Sequence, residues 1–443
     1  MTSPSAPSSS LHRTLSLKDL VVYGMLFIGV TAPMGTFGVL DARSGGITPV
    51  VFIVAALAMG ATAHSYARMS RAVPQAGSVY AYTEATLGKH PAFFAGWMLS
   101  LDYIFIPAMA VLFMGIAFHS LLPAIPAWVF TVLGVALITL MNLAGVKLAA
   151  RIGMIMLGID LVALAVFAVA AVVALATDGP QRAWLSPLVG VSGFSVSSLL
   201  SAGTVAALAF LGFDAIASFA EETTGSTDET GRALRVCLIV AATLFVVQTY
   251  LASLLMPSTP AELAAHPDLQ GTAFYDMLKS SIGTWLYLPI TLMRAIGPIL
   301  SALVAQAAAS RLLFAMGRSG DVPAFLGTVD AREGVPRNAT LATAVITLVV
   351  STAAALRPDG LEILSSMVTV GALVAFIFLH VATCAYYAIG HHEGVRCAII
   401  PVIGIVIVVA LLVDASRLAL AIAAVWAVIA LAILGIRRLR AAR

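Results

Sequence analysis

The sequence predicts an all-α polytopic membrane protein with about twelve transmembrane helices, and three observations support this prediction. Of the 443 residues, 60% are hydrophobic and only 10% are charged, whereas a soluble domain carries about 25% charged residues. The apolar residues form continuous blocks, most of them close to the ~20 residues that a helix needs to cross a bilayer. A membrane barrel would show short segments of alternating polarity, so helices are the expected spanning elements.

The apolar blocks divide the chain into regions. We predict a disordered cytoplasmic N-terminus over 1–16, a first five-helix half over 17–176, a second half over 196–390, two further helices within 395–437 and a basic tail over 438–443. We expect no cleavable signal, because a small-residue cleavage pattern is missing after the first apolar run. Spans one to twelve are predicted at residues 18–42, 46–68, 91–121, 127–146, 150–176, 196–222, 231–256, 283–314, 338–356, 361–388, 396–414 and 418–437.

The positive charges lie mostly at alternate ends of these spans. The net charge is only +3, but lysine and arginine accumulate on the side that carries both termini. Positive residues mark the cytoplasmic side of a membrane protein, so we predict a bacterial inner-membrane protein with both termini in the cytoplasm. The basic tail from Arg437 to Arg443 then lies against anionic lipid, and no nucleic-acid partner is needed to explain it.

The cysteines and histidines show no spacing typical of metal ligands. The chain also lacks a recognisable nucleophile–base pair or phosphate-binding loop. We therefore expect no metal, no cofactor and no enzymatic activity. The residues considered are Cys237, Cys384, Cys397, His64, His119 and His380.

Two spans contain residues that interrupt a helix. Span one contains Pro33 and Gly35 within GMLFIGVTAPMGTFGVL, and span six contains Gly212 and Asp214 close to its middle. Proline removes a backbone donor and clashes with the preceding turn. A single kink of this kind is usually a tolerated distortion, but interruptions at corresponding places in two halves are typical of a substrate site between inverted repeats.

Five segments carry motifs that occur together in one superfamily: ARMSRAVPQAGSVYAYT (Ala67–Thr83), GWMLSLDYIFIPAMAVLF (Gly96–Phe113), FLGFDAIASFAEET (Phe210–Thr223), ASRLLFAMGRSGDVP (Ala309–Pro323) and GVPRNA (Gly334–Ala339). In this order they resemble the amino acid–polyamine–organocation superfamily, and the Leu-Asp-Tyr segment of span three resembles its bacterial putrescine importers. The resemblance implies a LeuT-type 5+5 inverted repeat with helices 1 and 6 discontinuous, plus two extra C-terminal helices. It also implies ion-coupled import of small amines or amino acids by alternating access.

One departure from this superfamily concerns the first interruption. Amino acid transporters of the superfamily usually carry a Gly-small-Gly stretch there, whose free amides bind the substrate carboxylate at a half-helix N-terminus. The corresponding stretch here runs from Val30 to Gly35 and contains Pro33, which has no amide hydrogen. This weakens a carboxylate site and favours a substrate that lacks a carboxylate.

Acids inside the spans are candidates for substrate binding, because a charge in a membrane helix costs about 2.5–3.5 kcal/mol on the insertion scale. Asp102 and Asp214 are suitable anions for an ammonium group, and aromatic faces attract such groups. Asp214 could instead cap its helix, and Asp102 could pair with Tyr103 or join a buried salt bridge. The predicted substrate-binding residues are Thr31, Met34, Gly35, Thr36, Asp102, Tyr103, Phe210, Gly212, Phe213 and Asp214.

Asp160 in span five is the candidate for ion coupling. When the Asn142–Lys147 segment is aligned with its superfamily counterpart, the resemblance places Asp160 where some proton-coupled relatives carry a lysine. An aspartate at this position could accept the coupling proton, but it could equally be paired with a neighbour. Arg294 in span eight could neutralise one of the acids, and we favour a structural pairing for it over an outward orientation.

Glu221 and Glu222 at the inner end of span six are the candidates for a gate. Arg232, Arg235 and Arg318 are possible partners in an inner salt bridge, and a solvated helix end is the alternative.

The predicted function is secondary active import of a small organic amine, putrescine or a related polyamine, with H⁺ favoured over Na⁺ as the coupling ion. An amino acid permease or an amino acid/amine exchanger is the alternative within the same class, and a membrane sensor that does not transport belongs to another class. The expected partners are a cationic or zwitterionic solute, the coupling ion and the lipid bilayer, and the sequence leaves the oligomeric state open.

Overall fold

The computed structural model describes residues 11, 13–122, 124–191, 195–330, 334–357, 360–390, 394–413, 415 and 417–441. Within these residues, the β interaction is a single parallel bridge between Leu15 and Thr223. Nine described helices are long and apolar enough to cross a membrane, or up to ten if a bent pair counts as one span. The prediction of an all-α polytopic membrane protein is confirmed, while the count of twelve and the LeuT-type arrangement remain predictions.

The first half of the chain contains eight α-helices. Span one is divided into α1 and α2, span three into α5 and α6, and α4 is a short helix between spans two and three. Their bounds are α1 (Leu17–Ile28), α2 (Ala32–Ser44), α3 (Thr48–Ala72), α4 (Val79–Leu87), α5 (Lys89–Tyr103), α6 (Phe105–Leu121), α7 (Ala127–Leu143) and α8 (Val146–Thr177).

The second half contains eleven α-helices. Span six is α10 followed by a 3₁₀-helix over Phe213–Glu222, and spans seven to twelve are α11, α15, α16, α17, α18 and α19. The others connect spans on the outer side, away from the N-terminus. The bounds are α9 (Ser186–Val189), α10 (Val196–Leu208), α11 (Asp228–Leu255), α12 (Pro260–Ala265), α13 (Pro267–Gln270), α14 (Ala273–Met277), α15 (Thr284–Arg318), α16 (Arg337–Ala355), α17 (Gly360–Cys384), α18 (Ile399–Val413) and α19 (Arg417–Ala441), with short 3₁₀ or π segments at Leu278–Ile282, Ala324–Gly327, Ala385–Gly390 and Val395–Ala398.

The interruption of span one lies just before Pro33. α1 begins with a capping box between Ser16 and Asp19 and ends at Ile28, and Gly29 then adopts a φ of 72°. α2 follows at an angle of 44° to α1, with Pro33 in its first turn. Proline is tolerated at that position because the first amides of a helix have no partner within the helix. Pro33 therefore starts the second half-helix, while Gly29 supplies the bend.

The interruption of span six is centred on Gly212. This residue has a φ of 105°, which side chains other than glycine rarely adopt. A Cβ atom here would lie 2.8 Å from the ring of Phe27 in α1. The two interruptions are therefore packed against each other, and below them Tyr23 of α1 stacks on Phe219 of the 3₁₀-helix at 5.0 Å.

The last helix is attached to span three by a pair of tryptophans. The indole of Trp97 donates to the carbonyl of Trp426 at 3.0 Å, and the indole of Trp426 donates to the carbonyl of Trp97 at 2.8 Å. Their rings stack at 4.8 Å. Nearer the inner end of α19, Arg437 forms a 2.8 Å ion pair with Asp321, in the loop after span eight. Asp321 also accepts a 2.8 Å hydrogen bond from Tyr80 of α4, and burial raises the pKa of the Tyr80 hydroxyl.

Candidate substrate site

Asp214 is held at the interruption of span six by three hydrogen bonds. Its Oδ1 accepts from the amide of Gly212 at 3.2 Å, and its Oδ2 accepts from Tyr103 Oη at 2.9 Å and from Tyr66 Oη at 3.3 Å. The three side chains of Asp214, Tyr103 and Tyr66 are fully buried. The carboxylate thus joins spans two, three and six. The bond to Gly212 is the local cap expected as an alternative, but the two phenols come from other helices.

The predicted aromatic walls are packed into the protein interior in this structure. Phe210 lies 5.0 Å from Phe245 of α11 and 6.2 Å from Phe52 of α3. Phe213 contacts the edge of Tyr66, with 6.2 Å between ring centroids. Neither ring is exposed, so contact of Phe210 or Phe213 with a substrate requires a rearrangement of the interrupted segment.

A cavity of about 610 Å³ reaches both interruptions. Thr31 and Leu211 line it at the two breaks, Asp160 lines it from α8, and it extends to Tyr275 of the outer helix α14. Asp214, Asp102 and Tyr103 are not part of its lining. The structure therefore brings Thr31 and Asp160 together at the cavity and places the other acids and Tyr103 in the packed layer beside it.

The remaining predicted residues of span one do not line this cavity. Met34 is buried, Gly35 and Thr36 are partly exposed, and all three lie in the first turns of α2. The hydroxyl of Thr36 is buried and has no hydrogen-bond partner among the described residues.

Two side chains donate hydrogen bonds to backbone carbonyl groups near the first interruption. Gln248 of α11 donates to the carbonyl of Val30 at 3.0 Å, and Ser301 of α15 donates to the carbonyl of Leu26 at 2.8 Å. Carbonyls at a half-helix end are candidates for holding a cation. Here side chains of the protein already donate to the carbonyls of Val30 and Leu26. The glutamine within span seven, Gln248, was the sequence signal for the first of these contacts.

Asp102 differs sharply from Asp214, although both are fully buried. Neither carboxylate oxygen of Asp102 has a hydrogen-bond partner among the described residues. The alternative of a pairing with Tyr103 is not found, because the Tyr103 hydroxyl donates to Asp214. Asp102 directly precedes Tyr103, whose hydroxyl donates to Asp214, so the two acids lie in the same buried region.

The inner end of span six is closed by two ion pairs. Glu222 forms a bidentate pair with Arg311 of α15, at 2.6 and 3.0 Å, and both side chains are buried. Glu221 forms a second bidentate pair with Arg318, at 3.1 Å for both contacts. Of the predicted partners only Arg318 is found in these pairs. Arg311 is not among the predicted partners, although an arginine within an apolar helix is itself a signal of function or pairing.

The N-terminal segment adds a backbone contact to this closure. The amides of Thr14 and Leu15 donate to the carbonyl of Glu222 at 2.8 and 3.0 Å, and the amide of Thr224 donates to the carbonyl of Leu15 at 2.9 Å. The predicted disorder of residues 1–16 therefore does not extend to Thr14 and Leu15, because their backbone groups find partners at the end of span six. Residues 1–10 and 12 lie outside the described part.

A third ion pair connects segments on the outer side. Asp41 of α2 is fully buried and contacts Arg182 at 2.8 and 3.1 Å. Arg182 also donates to the carbonyl of Ser258, and Thr48 donates to Asp41 at 3.3 Å. The pair links the outer half of span one to two connecting segments. The side chain of Arg294, for which we favoured a structural pairing, lies outside the described residues.

Two packed helix interruptions, a buried acid at one of them, a cavity that reaches both and a closed opposite side define a helical membrane transporter. The family model for amino acid permeases matches residues 21–436. The chain belongs to the amino acid permease family, which confirms the resemblance to the amino acid–polyamine–organocation superfamily. Members of the family are transporters, so the prediction that the chain is not an enzyme is confirmed as well.

Individual relatives differ in the solutes that their names record. The chain is 27% identical to the low-affinity putrescine importer of Escherichia coli (strain K12), over 97% of this chain and 94% of the relative. It is 28% identical to the branched-chain amino acid permease of Bacillus subtilis (strain 168), over 82% and 80% of the two chains. It is 29% identical to the methylthioribose transporter of the same organism, over 86% and 82%.

Proposed function

We propose that this protein is a secondary active transporter that imports a small organic amine, putrescine or a related polyamine, by proton-coupled alternating access. The observation that carries the proposal is the environment of Asp214. This carboxylate is fully buried at an interrupted helix beside the cavity, and its hydrogen-bond donors are neutral phenol and amide groups. A buried anion without a cation is costly, and an ammonium group would compensate it.

The first interruption supports an amine over an amino acid. α2 has Pro33 in its first turn, so one of the amides that would otherwise face a substrate carboxylate is missing. Apolar residues such as Leu26, Ile106 and Val368 line much of the cavity and suit the methylene chain of a diamine. The putrescine importer among the relatives agrees with this choice of substrate class.

The unequal closure of the two sides supports the proposal of alternating access. The cavity extends toward the outer helix α14, whereas two bidentate ion pairs and the N-terminal segment close the inner side. Because Asp214 lies beside the cavity and not in its lining, the substrate reaches it when the Leu211–Gly212 segment shifts. In our proposal the inner side is cytoplasmic, as the charge distribution predicts.

Asp160 is the proposed coupling residue. It lines the cavity from α8, as Gly29 and Thr31 do from the interruption of span one, and retains only 9% of its surface exposed. A carboxylate in this position can take a proton from the outer side while the cavity is open. We expect Asp160→Asn to abolish accumulation that depends on a pH gradient while the protein stays in the membrane. Unchanged pH-dependent accumulation in this variant would exclude Asp160 as the coupling residue.

An uptake experiment tests the substrate assignment. Purified protein in liposomes with an inward proton gradient is supplied with radiolabelled putrescine, with diamines and amino acids as competitors. We expect competition by diamines and loss of uptake in Asp214→Asn, with Asp178→Asn, at an exposed helix end, as the control that retains uptake. An amino acid permease is the second candidate, because the apolar cavity also suits an aliphatic side chain. Uptake of leucine with no effect of putrescine would establish that candidate instead.

A further inference from the structure

Asp102 has an environment that an ionised carboxylate does not tolerate well. It lies at the end of α5 with no exposed surface, and neither of its oxygen atoms has a hydrogen-bond partner among the described residues. A buried carboxylate is normally paired with a cation or surrounded by donors, because transfer of an uncompensated charge from water is very unfavourable. No described guanidinium or ammonium group is hydrogen-bonded to Asp102.

The neighbouring groups increase this cost. Asp214 accepts a hydrogen bond from Tyr103, the residue that follows Asp102, so a second acid lies in the same buried region. Like charges at a shared site cannot easily both be ionised. The phenols of Tyr66 and Tyr103 both donate to Asp214. On the α17 side, Gly371 packs so closely that a Cβ atom there would lie 2.8 Å from the Asp102 amide. The backbone of α17 therefore leaves little room for α5 to move away.

The two acids are thus chemically distinct. Asp214 has three neutral donors that stabilise its ionised form without neutralising the charge, whereas Asp102 has none among the described residues. One proton shared unequally between them gives the pair a single negative charge, which one ammonium group then balances. Pairs of interacting carboxyl groups in other proteins share one proton in the same way.

We propose that Asp102 is a proton-binding site of the transport cycle, separate from the cavity-lining acid Asp160. In the outward-facing arrangement Asp102 is a neutral carboxylic acid, and Asp214 is the anion that receives the amine. When the inner side opens, water reaches Asp102, its O–H bond breaks and the proton passes to the cytoplasmic solution. This inference rests on the proposed function for the role of the proton, but the protonation of Asp102 itself can be tested without any substrate.

The test is infrared difference spectroscopy of the purified protein in lipid, between neutral and alkaline pH, with no substrate added. We expect a carbonyl stretching band of a protonated carboxylic acid in the wild-type protein that disappears at alkaline pH. The band should be missing in Asp102→Asn, shifted in frequency in Asp102→Glu and retained in Asp160→Asn. The shifted band in Asp102→Glu would assign the signal to this position even if the asparagine variant folds poorly.

Transport of radiolabelled putrescine then tests the link to coupling. We expect Asp102→Asn to lose accumulation driven by a pH gradient and Asp102→Glu to retain part of it. Difference spectra of both variants that match the wild-type spectrum would overturn the proposal. A band assigned to Asp102 in a protein that does not take up putrescine would instead refute the proposed substrate and leave the proton site in place.

Discussion

The buried pair between Glu222 and Arg311 allows the closure of the inner side to be tested directly. Replacing Arg311 by methionine leaves Glu222 buried without its partner. Truncating one partner of a buried ion pair costs about 3–5 kcal/mol. When the inner side opens, water reaches Glu222, so this cost applies to the closed arrangement. At about 1.4 kcal/mol for each power of ten, we expect the closed-to-open ratio to fall by roughly two to three and a half powers of ten.

A native cysteine provides the readout for this change. Cys237 of α11 is fully buried, and its Sγ lies 3.4 Å from the carbonyl of Val21 in α1. Separation of α1 from α11 on the inner side exposes this thiol. In a background where the partly exposed Cys384 and Cys397 are replaced by serine, the labelling rate of Cys237 by an impermeant maleimide on inside-out vesicles reports the open fraction. We expect a large increase in Arg311→Met.

Two variants serve as matched controls. Arg318→Met breaks the pair with Glu221, in which Arg318 retains 31% side-chain exposure. Exposed pairs contribute about 0–1 kcal/mol, so labelling should change less than about fivefold. Adding Glu222→Met to Arg311→Met removes the unpaired charge and should restore slow labelling. Labelling of Cys237 that is the same in wild type and Arg311→Met would refute the reasoning, as would equal effects of Arg311→Met and Arg318→Met.

Three further predictions concern other parts of the structure. Gly212→Ala should lower the free energy of unfolding by about 1–3 kcal/mol, because the φ of 105° and the ring of Phe27 leave no room for a methyl group. The control Gly203→Ala, with no atom within 4 Å of the added Cβ, should be nearly neutral. A stable Gly212→Ala protein with normal uptake would contradict this prediction. Leu15→Pro removes an amide that donates to Glu222 and should accelerate Cys237 labelling, whereas Arg13→Ala should not; equal labelling rates would show that the N-terminal contact does not stabilise closure. Arg182→Met leaves Asp41 buried and unpaired and should cost about 3–5 kcal/mol in an unfolding experiment, with Arg43→Met as control, and a loss below about 1 kcal/mol would place this pair among the weak exposed ones.

The features that could be predicted from sequence are those carried by local patterns. Apolar blocks predicted the spans, and glycine with proline predicted where span one is interrupted. The observed interruption lies a few residues before the predicted one. Proline is favoured in the first turn of a helix, so the bend is at Gly29 and Pro33 lies at the start of the following helix. Asp214, which the sequence singles out as an acid inside an apolar span, lies buried at the interruption of span six, and its role in substrate binding stays a prediction.

The features that could not be predicted depend on contacts between distant parts of the chain. Tyr66 and Asp214 are separated by 148 residues, and nothing local to Tyr66 indicates that its phenol donates to this acid. The same holds for Arg311, because no residue near it in sequence is an acid and its partner Glu222 lies on span six. Phe210 is predicted to contact the substrate, and in this structure its ring packs on Phe245. The sequence does not distinguish these two uses of an aromatic residue in a helix bundle, and the substrate contact stays a prediction.

In the proposed transport cycle, the tryptophan pair assigns α5 and α19 to the part of the molecule that stays in place. Trp97 lies six residues, or about 1.7 turns, before Tyr103 on the same helix. The last helix therefore supports the helix that carries a hydrogen-bond donor to Asp214. The N-terminal residues, in contrast, are bonded to the inner end of span six. We therefore expect a reporter domain fused after Arg443 to leave the conformational change of the proposed cycle unhindered, whereas a domain fused before Leu11 should hinder it.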